Sequence, residues 1–377
     1  PGQPISKRQA AMHILTSRER LIPALKKVGG VVERRQTLPI LGNLLINASA
    51  DSVLLTGTDL EVEIRVEVAA KVEEQGDITL PARKFIDICR AVPEGAEISL
   101  KTQGQRASIT AGRSRFSLST LPASDFPLME SDAGEESIEI DQGTLKELLE
   151  KTGFAMAHQD VRYYLNGLLL KVAPRGITAV ATDGHRMAKV EQDLELPLAE
   201  EVQVILPRKT VLELGRLLEF SEETVRIDLS ERMLRVVVGD SLLTSKLVDG
   251  RYPDYQRVIP ILADKVATVD REGLRQSLLR TSILSSEKYK GIRLGFQQDR
   301  LTLQAHNPEQ EEAEEEMEIE YGQEPTAIGF NVGYLIDVLG VVDEERVEFR
   351  FTDSGSSALL RGSGREDQTF VVMPMRL

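Results

Sequence analysis

The stretch with the clearest chemical potential is Thr182-Asp183-Gly184-His185-Arg186. It holds a carboxylate, a glycine turn and one of only four histidines. An Asp that orients a His is the base pair of a hydrolase. The rest of a hydrolase is missing: the sequence has no Gly-x-Ser-x-Gly elbow, no His-Glu-x-x-His and no glycine-rich phosphate loop. His158 and His306 have no partner at ligand spacing, and His13 stands alone. The single cysteine, Cys89, excludes a disulfide framework and a Cys-based zinc site. It follows Phe85, Ile86 and Ile88 on an apolar helical stripe and reads as a buried structural thiol. Carboxylates crowd only in the run Glu309, Glu311, Glu312, Glu314, Glu315, Glu316, Glu318 and Glu320, where the crowding is electrostatic rather than catalytic. No catalytic residue, metal ligand or cofactor is therefore assigned. A hydrolase centred on His185 stays as an alternative.

The same stretch has two relatives. Thr58-Asp59-Leu60-Glu61 precedes it and Asn307-Pro308-Glu309-Gln310 follows it, each at a distance of about 124 residues. The elements around them recur too. Ile14-Leu15-Thr16-Ser17, Ile138-Glu139-Ile140-Asp141 and Ala267-Thr268-Val269-Asp270 each read as a short strand ending in a helix N-cap, and Leu21, Leu145 and Leu274 are equivalent in the helices that follow. Pro23 predicts a kink or a late start in the first of these. Apolar strands follow at 43–46, 167–170 and 291–294. Second helices begin after Pro81, after Pro207 and at Asn331. Each unit thus reads β-α-β-β-β twice. The predicted fold class is α+β: three tandem copies of a duplicated unit, with helices covering one face of antiparallel sheets. The expected domains are 12–134, 135–254 and 255–377, and residues 1–11 read as a disordered extension. No apolar run is long enough to span a membrane, and one cysteine in 377 residues suits a reducing cytoplasm.

The net charge of −14 argues against nucleic acid until its distribution is read. The six predicted helices carry +8 in sum and the rest of the chain −22, which together give −14. Such helices either have ordinary solvated faces or line one surface that meets a polyanion while the acidic exterior repels it. No base-reading motif is present, so contact with DNA would be to phosphate and independent of sequence. A further asymmetry concerns sheet edges. The acidic run occupies a strand position in the third unit, with Met317 and Ile319 alternating within it. The first unit has Arg106, Arg113 and Arg115 beside Phe116 and Leu118. An acidic edge and a basic edge can pair head to tail and hide both, and head-to-tail contacts make rings when they close.

The three-fold repeat combines with Thr182-Asp183-Gly184-His185-Arg186, with His158-Gln159-Asp160-Val161-Arg162-Tyr163-Tyr164-Leu165-Asn166-Gly167, with Ser245-Lys246-Leu247-Val248-Asp249-Gly250, and with the terminus Val371-Val372-Met373-Pro374-Met375-Arg376-Leu377. Together these resemble the β sliding clamp of bacterial DNA polymerase III from Met12 to Leu377. The resemblance implies a non-catalytic, head-to-tail homodimeric ring that encircles double-stranded DNA and confers processivity. Its implied partners are the polymerase III alpha subunit, the clamp loader, other polymerases and repair proteins, which bind through short peptides with Gln, Leu and a terminal aromatic. It implies no cofactor, no metal and no membrane, and a cytoplasmic, nucleoid-associated protein. The implied peptide pocket comprises Leu165, Thr182, Gly184, His185, Arg186, Met187, Pro253, Arg257, Val258, Asn331, Tyr334, Ser357, Val371, Val372, Met373, Pro374, Met375, Arg376 and Leu377. Met187 stands where Leu is common, and Gly355 where a bulkier residue is usual. The implied DNA contacts are Arg35, Arg83, Lys84, Arg90, Gln159, Arg162, Arg208 and Lys209. The implied dimer interface sets Ile283 and Leu284 against Phe116 and Leu118, flanked by Arg106, Arg113, Arg115 and by Glu309, Glu311, Glu312, Glu314 and Glu315. Helices about 9 Å apart bear on the stoichiometry: six leave a hole of only about 7 Å, whereas twelve leave roughly 24 Å, wide enough for a duplex. A peptide-binding scaffold with no role on DNA remains the second alternative.

Overall fold

The computed structural model describes residues 11–32, 38–130 and 136–376. The first repeat runs β1 (His13–Ser17), α1 (Arg18–Val28), β2 (Asn43–Ser49), β3 (Ser52–Thr58), β4 (Val62–Ala69), β5 (Lys71–Glu74), β6 (Gly76–Pro81), α2 (Ala82–Ala91), β7 (Glu97–Gln103), β8 (Arg106–Ala111) and β9 (Ser114–Ser119). The second runs β10 (Glu136–Asp141), α3 (Gln142–Gly153), β11 (Gly167–Ala173), β12 (Gly176–Thr182), β13 (Arg186–Asp193), β14 (Val202–Pro207), α4 (Arg208–Leu217), β15 (Thr224–Leu229), β16 (Met233–Val238) and β17 (Ser241–Lys246). The third runs β18 (Lys265–Asp270), α5 (Arg271–Thr281), β19 (Gly291–Gln297), β20 (Arg300–His306), β21 (Glu312–Glu318), β22 (Thr326–Asn331), α6 (Val332–Val341), β23 (Arg346–Phe351), β24 (Ala358–Gly362) and β25 (Gln368–Val372). The second and third repeats are β-α-β-β-β twice. The first adds only the short β5.

Local chemistry sets these boundaries. Ser17, Asp270 and Asn331 cap α1, α5 and α6 by accepting the N–H of Arg20, Gly273 and Gly333, which satisfies donors the first helical turn leaves without partners. Pro81 and Pro207 end strands immediately before α2 and α4. Leu21, Leu145 and Leu274 are all buried at equivalent places. Pro23 does not delay α1, which starts at Arg18 and runs through it. Strands show the period-two burial of a half-buried sheet, as in β8, where Ala107, Ile109 and Ala111 face inward.

By packing, the chain divides into two compact units: residues 1–143 with 212–247, and residues 144–211 with 248–377. The middle repeat is split between them because sheets run across the repeat junctions. In the first unit a sheet of order β10-β15-β16-β17-β4-β3-β2-β6 joins β17 of the second repeat to β4 of the first. A smaller sheet there has the order β5-β1-β7-β8-β9. In the second unit the order β14-β11-β12-β13-β25-β24-β23-β18 joins β25 of the third repeat to β13 of the second, and a four-stranded sheet runs β21-β20-β19-β22. Within the first unit α1 and α2 pack together over β2, β3 and β4. Within the second, α5 and α6 pack together, α5 over β20 and β21. Among the described residues no helix is long and apolar enough to cross a membrane.

Candidate functional site

The three Thr-Asp-type turns fold through one hydrogen-bond pattern. In the first, Asp59 Oδ1 accepts the N–H groups of Glu61 and Val62 at 2.9 and 2.8 Å, and Thr58 Oγ1 accepts from Leu60. In the second, Asp183 Oδ1 accepts from His185 and Arg186 at 2.8 and 3.0 Å, and Thr182 Oγ1 accepts from Gly184. In the third, Asn307 Oδ1 accepts from Glu311 at 2.9 Å. The apex needs a left-handed residue, Leu60 at φ 78°, Gly184 at 89° and Gln310 at 65°, which only glycine takes without cost. The hydrolase reading fails on this geometry. The Asp183 carboxylate is spent on two backbone N–H groups and on Arg186, and it does not reach the His185 ring to orient it.

Around the middle turn the second unit gathers a network of polar and apolar side chains. Arg186 is its keystone. Its Nε donates to Asp183 Oδ2 at 3.1 Å, its Nη1 to Asp337, and its Nη2 to the Phe154 carbonyl at 2.9 Å. The guanidinium lies 4.5 Å from the Tyr334 ring centre and 5.3 Å from that of Phe154, a stacked and paired cation rather than a mobile one. Leu165, Met187 and Val371 share one buried apolar cluster with Leu169, Val180, Ile205 and Tyr252. Pairing of Arg186 with Val372 and Met187 with Val371 zips β25 against β13. The tail then continues off the sheet: Met373 N–H donates to the His185 carbonyl and Met375 N–H to the Gly329 carbonyl, both within 3.0 Å. Met373, Pro374 and Met375 are half-buried, and Arg376 is exposed. Pro253 and Arg257 are exposed on the rim, Arg257 bonded to Asp254. Val258 lies on the same rim, and Asn331 is the α6 cap. Ser357 is half-buried beside Ala358, whose partner is Val372. Leu377 lies outside the described residues.

The residues expected to meet DNA fall into two sets. Arg83, Lys84 and Arg90 project from α2 in the first unit and are exposed. In the second unit Asn166 is a hub: its side chain accepts from the Asp160 N–H and donates to the Asp160 carbonyl, while its own carbonyl accepts the Arg208 N–H. Loop 158–162 and the start of α4 are thereby held together, with Gln159 exposed at φ 56°. Arg162 is not a freely presented cation. It forms a two-pronged pair with Asp160 at 2.8 and 3.0 Å and donates to the Asp183 carbonyl. That pairing holds the Asp160 carboxyl down at about 2. Arg208 donates to the Met156 carbonyl, and Lys209 is half-buried. Arg35 lies outside the described residues.

The two charged strands are both sheet edges. β9, with exposed Arg115 and half-buried Phe116, pairs only with β8, where Arg106 donates to Ser117. Leu118 is buried on the core side, and Arg113 is exposed in the β8–β9 turn. Among the described residues β21 pairs only with β20. Glu309, Glu311, Glu312 and Glu314 are exposed there. Glu315 points to the other face, where Arg280 grips it at 2.5 and 2.7 Å. Ile283, 77% exposed, and half-buried Leu284 sit in a 3-10 turn against β20 and β21.

Three family models match in order: the N-terminal, central and C-terminal domains of the DNA polymerase III beta subunit, over residues 12–130, 139–254 and 256–376. The chain belongs to the bacterial beta sliding clamps. The beta sliding clamp of Pseudomonas putida is 50% identical over 368 residues, 97% of this chain and 100% of the relative. The crystal structure of the Pseudomonas aeruginosa beta subunit superposes with a TM-score of 0.93 at 50% identity, covering 97% of this chain and 100% of that one. The P. aeruginosa clamp bound to griselimycin gives the same values. A sliding clamp is a processivity factor and not a catalyst, in keeping with the fully used Asp183 carboxylate.

Sequence reasoning missed several residues that fix the Thr182–Arg186 turn and its surroundings. Tyr252 lies 8% exposed in the cluster, and its hydroxyl accepts the Thr182 N–H at 3.0 Å, a bond that holds the turn from behind. Burial raises its phenol above the usual range. Its place beside Pro253 was the available signal. Phe154 and Asp337, which fix Arg186, gave none, because each is remote in sequence from the turn. Asn166 stood inside a quoted motif, but its hub role rests on contacts that spacing does not encode.

Proposed function

We propose that two copies of this clamp close head to tail into a ring around double-stranded DNA, with domains 12–134, 135–254 and 255–377 in each copy. Partner proteins bind through short peptides in the pocket built on the Thr182–Arg186 turn. The observation that carries the ring is a missing sheet junction. β17 pairs with β4 and β25 pairs with β13, and the two junctions have one register, with Leu243 opposite Ile64 and Phe370 opposite Ala188. The equivalent strands left over are β9 and β21, both open edges. A second copy supplies each with its partner. The hairpin registers make Phe116 the counterpart of Leu243 and Phe370, and Ala313 the counterpart of Ile64 and Ala188. The intermolecular register is then Phe116 opposite Ala313, Arg115 opposite Glu314 and Ser117 opposite Glu312. Ile283 and Leu284 add an apolar contact beside the acidic strand.

The DNA reading rests on the cations of α2 and α4 and on loop 158–162, in a chain that is acidic elsewhere. The partners are the polymerase III alpha subunit, the clamp loader and other polymerases and repair proteins, in the cytoplasm. The pocket reading rests on the apolar cluster of Leu165, Met187 and Val371 under a fixed arginine, a setting for Leu and aromatic anchors. One experiment tests the ring: the protein is loaded on a nicked circular duplex, the circle is cut once, and retention is followed. Retention before the cut and release after it is expected. Equal retention on circle and open-ended linear DNA overturns the topological reading. Retention unchanged by charge reversal at Arg83, Lys84 and Arg208 favours a scaffold with no role on DNA.

A further inference from the structure

Segment 258–262, Val258-Ile259-Pro260-Ile261-Leu262, is apolar throughout, yet Ile261 is 87% and Leu262 83% exposed. These are two adjacent aliphatic side chains in water. An isolated exposed leucine needs no explanation, but a contiguous apolar patch at the edge of a binding site does. The patch is held in place from both ends. Ile259 packs against the buried cluster of Leu165, Met187 and Val371. The Leu262 carbonyl accepts from Thr352 Oγ1 at 3.2 Å, and that residue starts the turn in which Ser356 Oγ accepts the Thr352 and Asp353 N–H groups. The turn leads into Ala358, which pairs with Val372 of the pocket. Pro260 between the anchored ends removes backbone freedom, so the two side chains are displayed rather than loose. The nearest charge on one side, Arg257, is tied to Asp254 at 2.8 Å.

We infer that Ile261 and Leu262 form an apolar extension of the peptide pocket and take an additional uncharged aliphatic or aromatic residue of the partner peptide, next to its Leu and aromatic anchors. The inference rests on the peptide-pocket reading. Its occupant follows from continuity: Ile259 packs against the cluster, and Ile261 and Leu262 follow it after the single residue Pro260, so a peptide seated over the cluster lies beside both.

The test measures fluorescence anisotropy with five labelled peptides: the core motif alone, the motif with Leu-Leu added on one flank or the other, and the motif with Ser-Ser added on one flank or the other. One Leu-Leu flank is expected to bind about tenfold tighter than the core, and the Ser-Ser flanks no tighter. The double variant I261S/L262S is expected to bind the core peptide as the wild type does and to lose the tenfold gain. Both residues are exposed, and an unchanged melting temperature shows that the variant folds. The inference is overturned if neither Leu-Leu flank gains, if the gain survives in I261S/L262S, or if that variant instead loses its dimer mass, which would assign the patch to a second copy. Failure of the core peptide to bind wild-type protein overturns the pocket reading itself and is seen separately.

Discussion

Reversing Arg115 tests the proposed ring at one cross-strand pair. Arg115 and Glu314 are both exposed edge-strand residues, and the shared register sets them directly opposite each other in two head-to-tail copies. An opposite-charge pair across antiparallel strands contributes about 0.2–1 kcal/mol, and a like pair costs about as much. R115E therefore costs about 1.5 kcal/mol per junction. A head-to-tail dimer has two identical junctions, so the dimer weakens by about 3 kcal/mol, on the order of a 100-fold rise in Kd. E314R alone costs a similar amount. The combination R115E/E314R restores an attractive pair and most of the affinity, while pairs set one residue out of register gain nothing. Sedimentation velocity across a dilution series reads the Kd of all four proteins. The penalty of R115E shrinks at high salt because the pair lies in solvent. A double variant as weak as the two single losses added together refutes the register, even if a dimer exists. A wild-type Kd for R115E refutes the edge pairing altogether.

Three other outcomes follow from single sites. R186A leaves Asp183 and Asp337 without their cation and opens the gap between Phe154 and Tyr334. It lowers unfolding free energy by about 2–4 kcal/mol and peptide affinity at least tenfold, and R186K recovers only part of either because it cannot stack or fork; thermal melts and anisotropy check this. Burial pushes the Cys89 thiol up to about 12, so native protein resists iodoacetamide at pH 8 and reacts only in denaturant, and prompt native labelling would contradict that burial. The Asp160 carboxyl, held at about 2 chiefly by Arg162, lies below its ordinary value. Its contribution is therefore full above about pH 4 and is lost as pH falls toward about 2. The stability difference between wild type and D160N should be flat from pH 5 to 8 and shrink only below about 4, and a carboxyl NMR midpoint near 4 would refute the pairing.

Much of this architecture was legible because local signals agreed with each other. The α1 and α5 N-caps, the prolines before α2 and α4 and the recurring Leu21, Leu145 and Leu274 each mark a repeat independently, and all six helices lie where period and caps put them. What local signals omit is which strands meet across the repeats. β17 and β4 are far apart in sequence and carry no code for each other beyond matched alternation, so the repeats are legible in the sequence while the sheets that join them across the repeat junctions are not. The site was legible as a turn and illegible as a network. Asp183 announces itself beside Gly184, while the groups that decide its role, Phe154, Tyr252 and Asp337, are ordinary residues until folding brings them together. Arg162 carries a partner that its charge alone does not announce: Asp160, two residues away, pairs with it at 2.8 Å.

The three turns also show how one local structure comes to have three different neighbours. In the first, the strand that arrives is β17, and Lys246 N–H donates to the Glu61 carbonyl at 2.9 Å. In the second, the strand is β25, and Met373 N–H donates to the His185 carbonyl at 2.9 Å. The bonds are equivalent, but the chains beyond them differ. After Lys246 the chain turns away as Leu247 N–H bonds to Arg232, and Lys246 Nζ reaches Glu61 at 3.1 Å. After Met373 the chain runs on along the turn, with Met375 N–H bonded to the Gly329 carbonyl, and in the proposed reading this makes the turn one wall of the peptide pocket. In the third, at Asn307, no strand arrives among the described residues, and the edge is acidic. In the proposed reading one duplicated element therefore serves as a junction, a binding site and an assembly edge, according to which strand pairs beside it. On that reading a second copy pairs at the third turn, which is why reversing Arg115 is the most direct test of the ring.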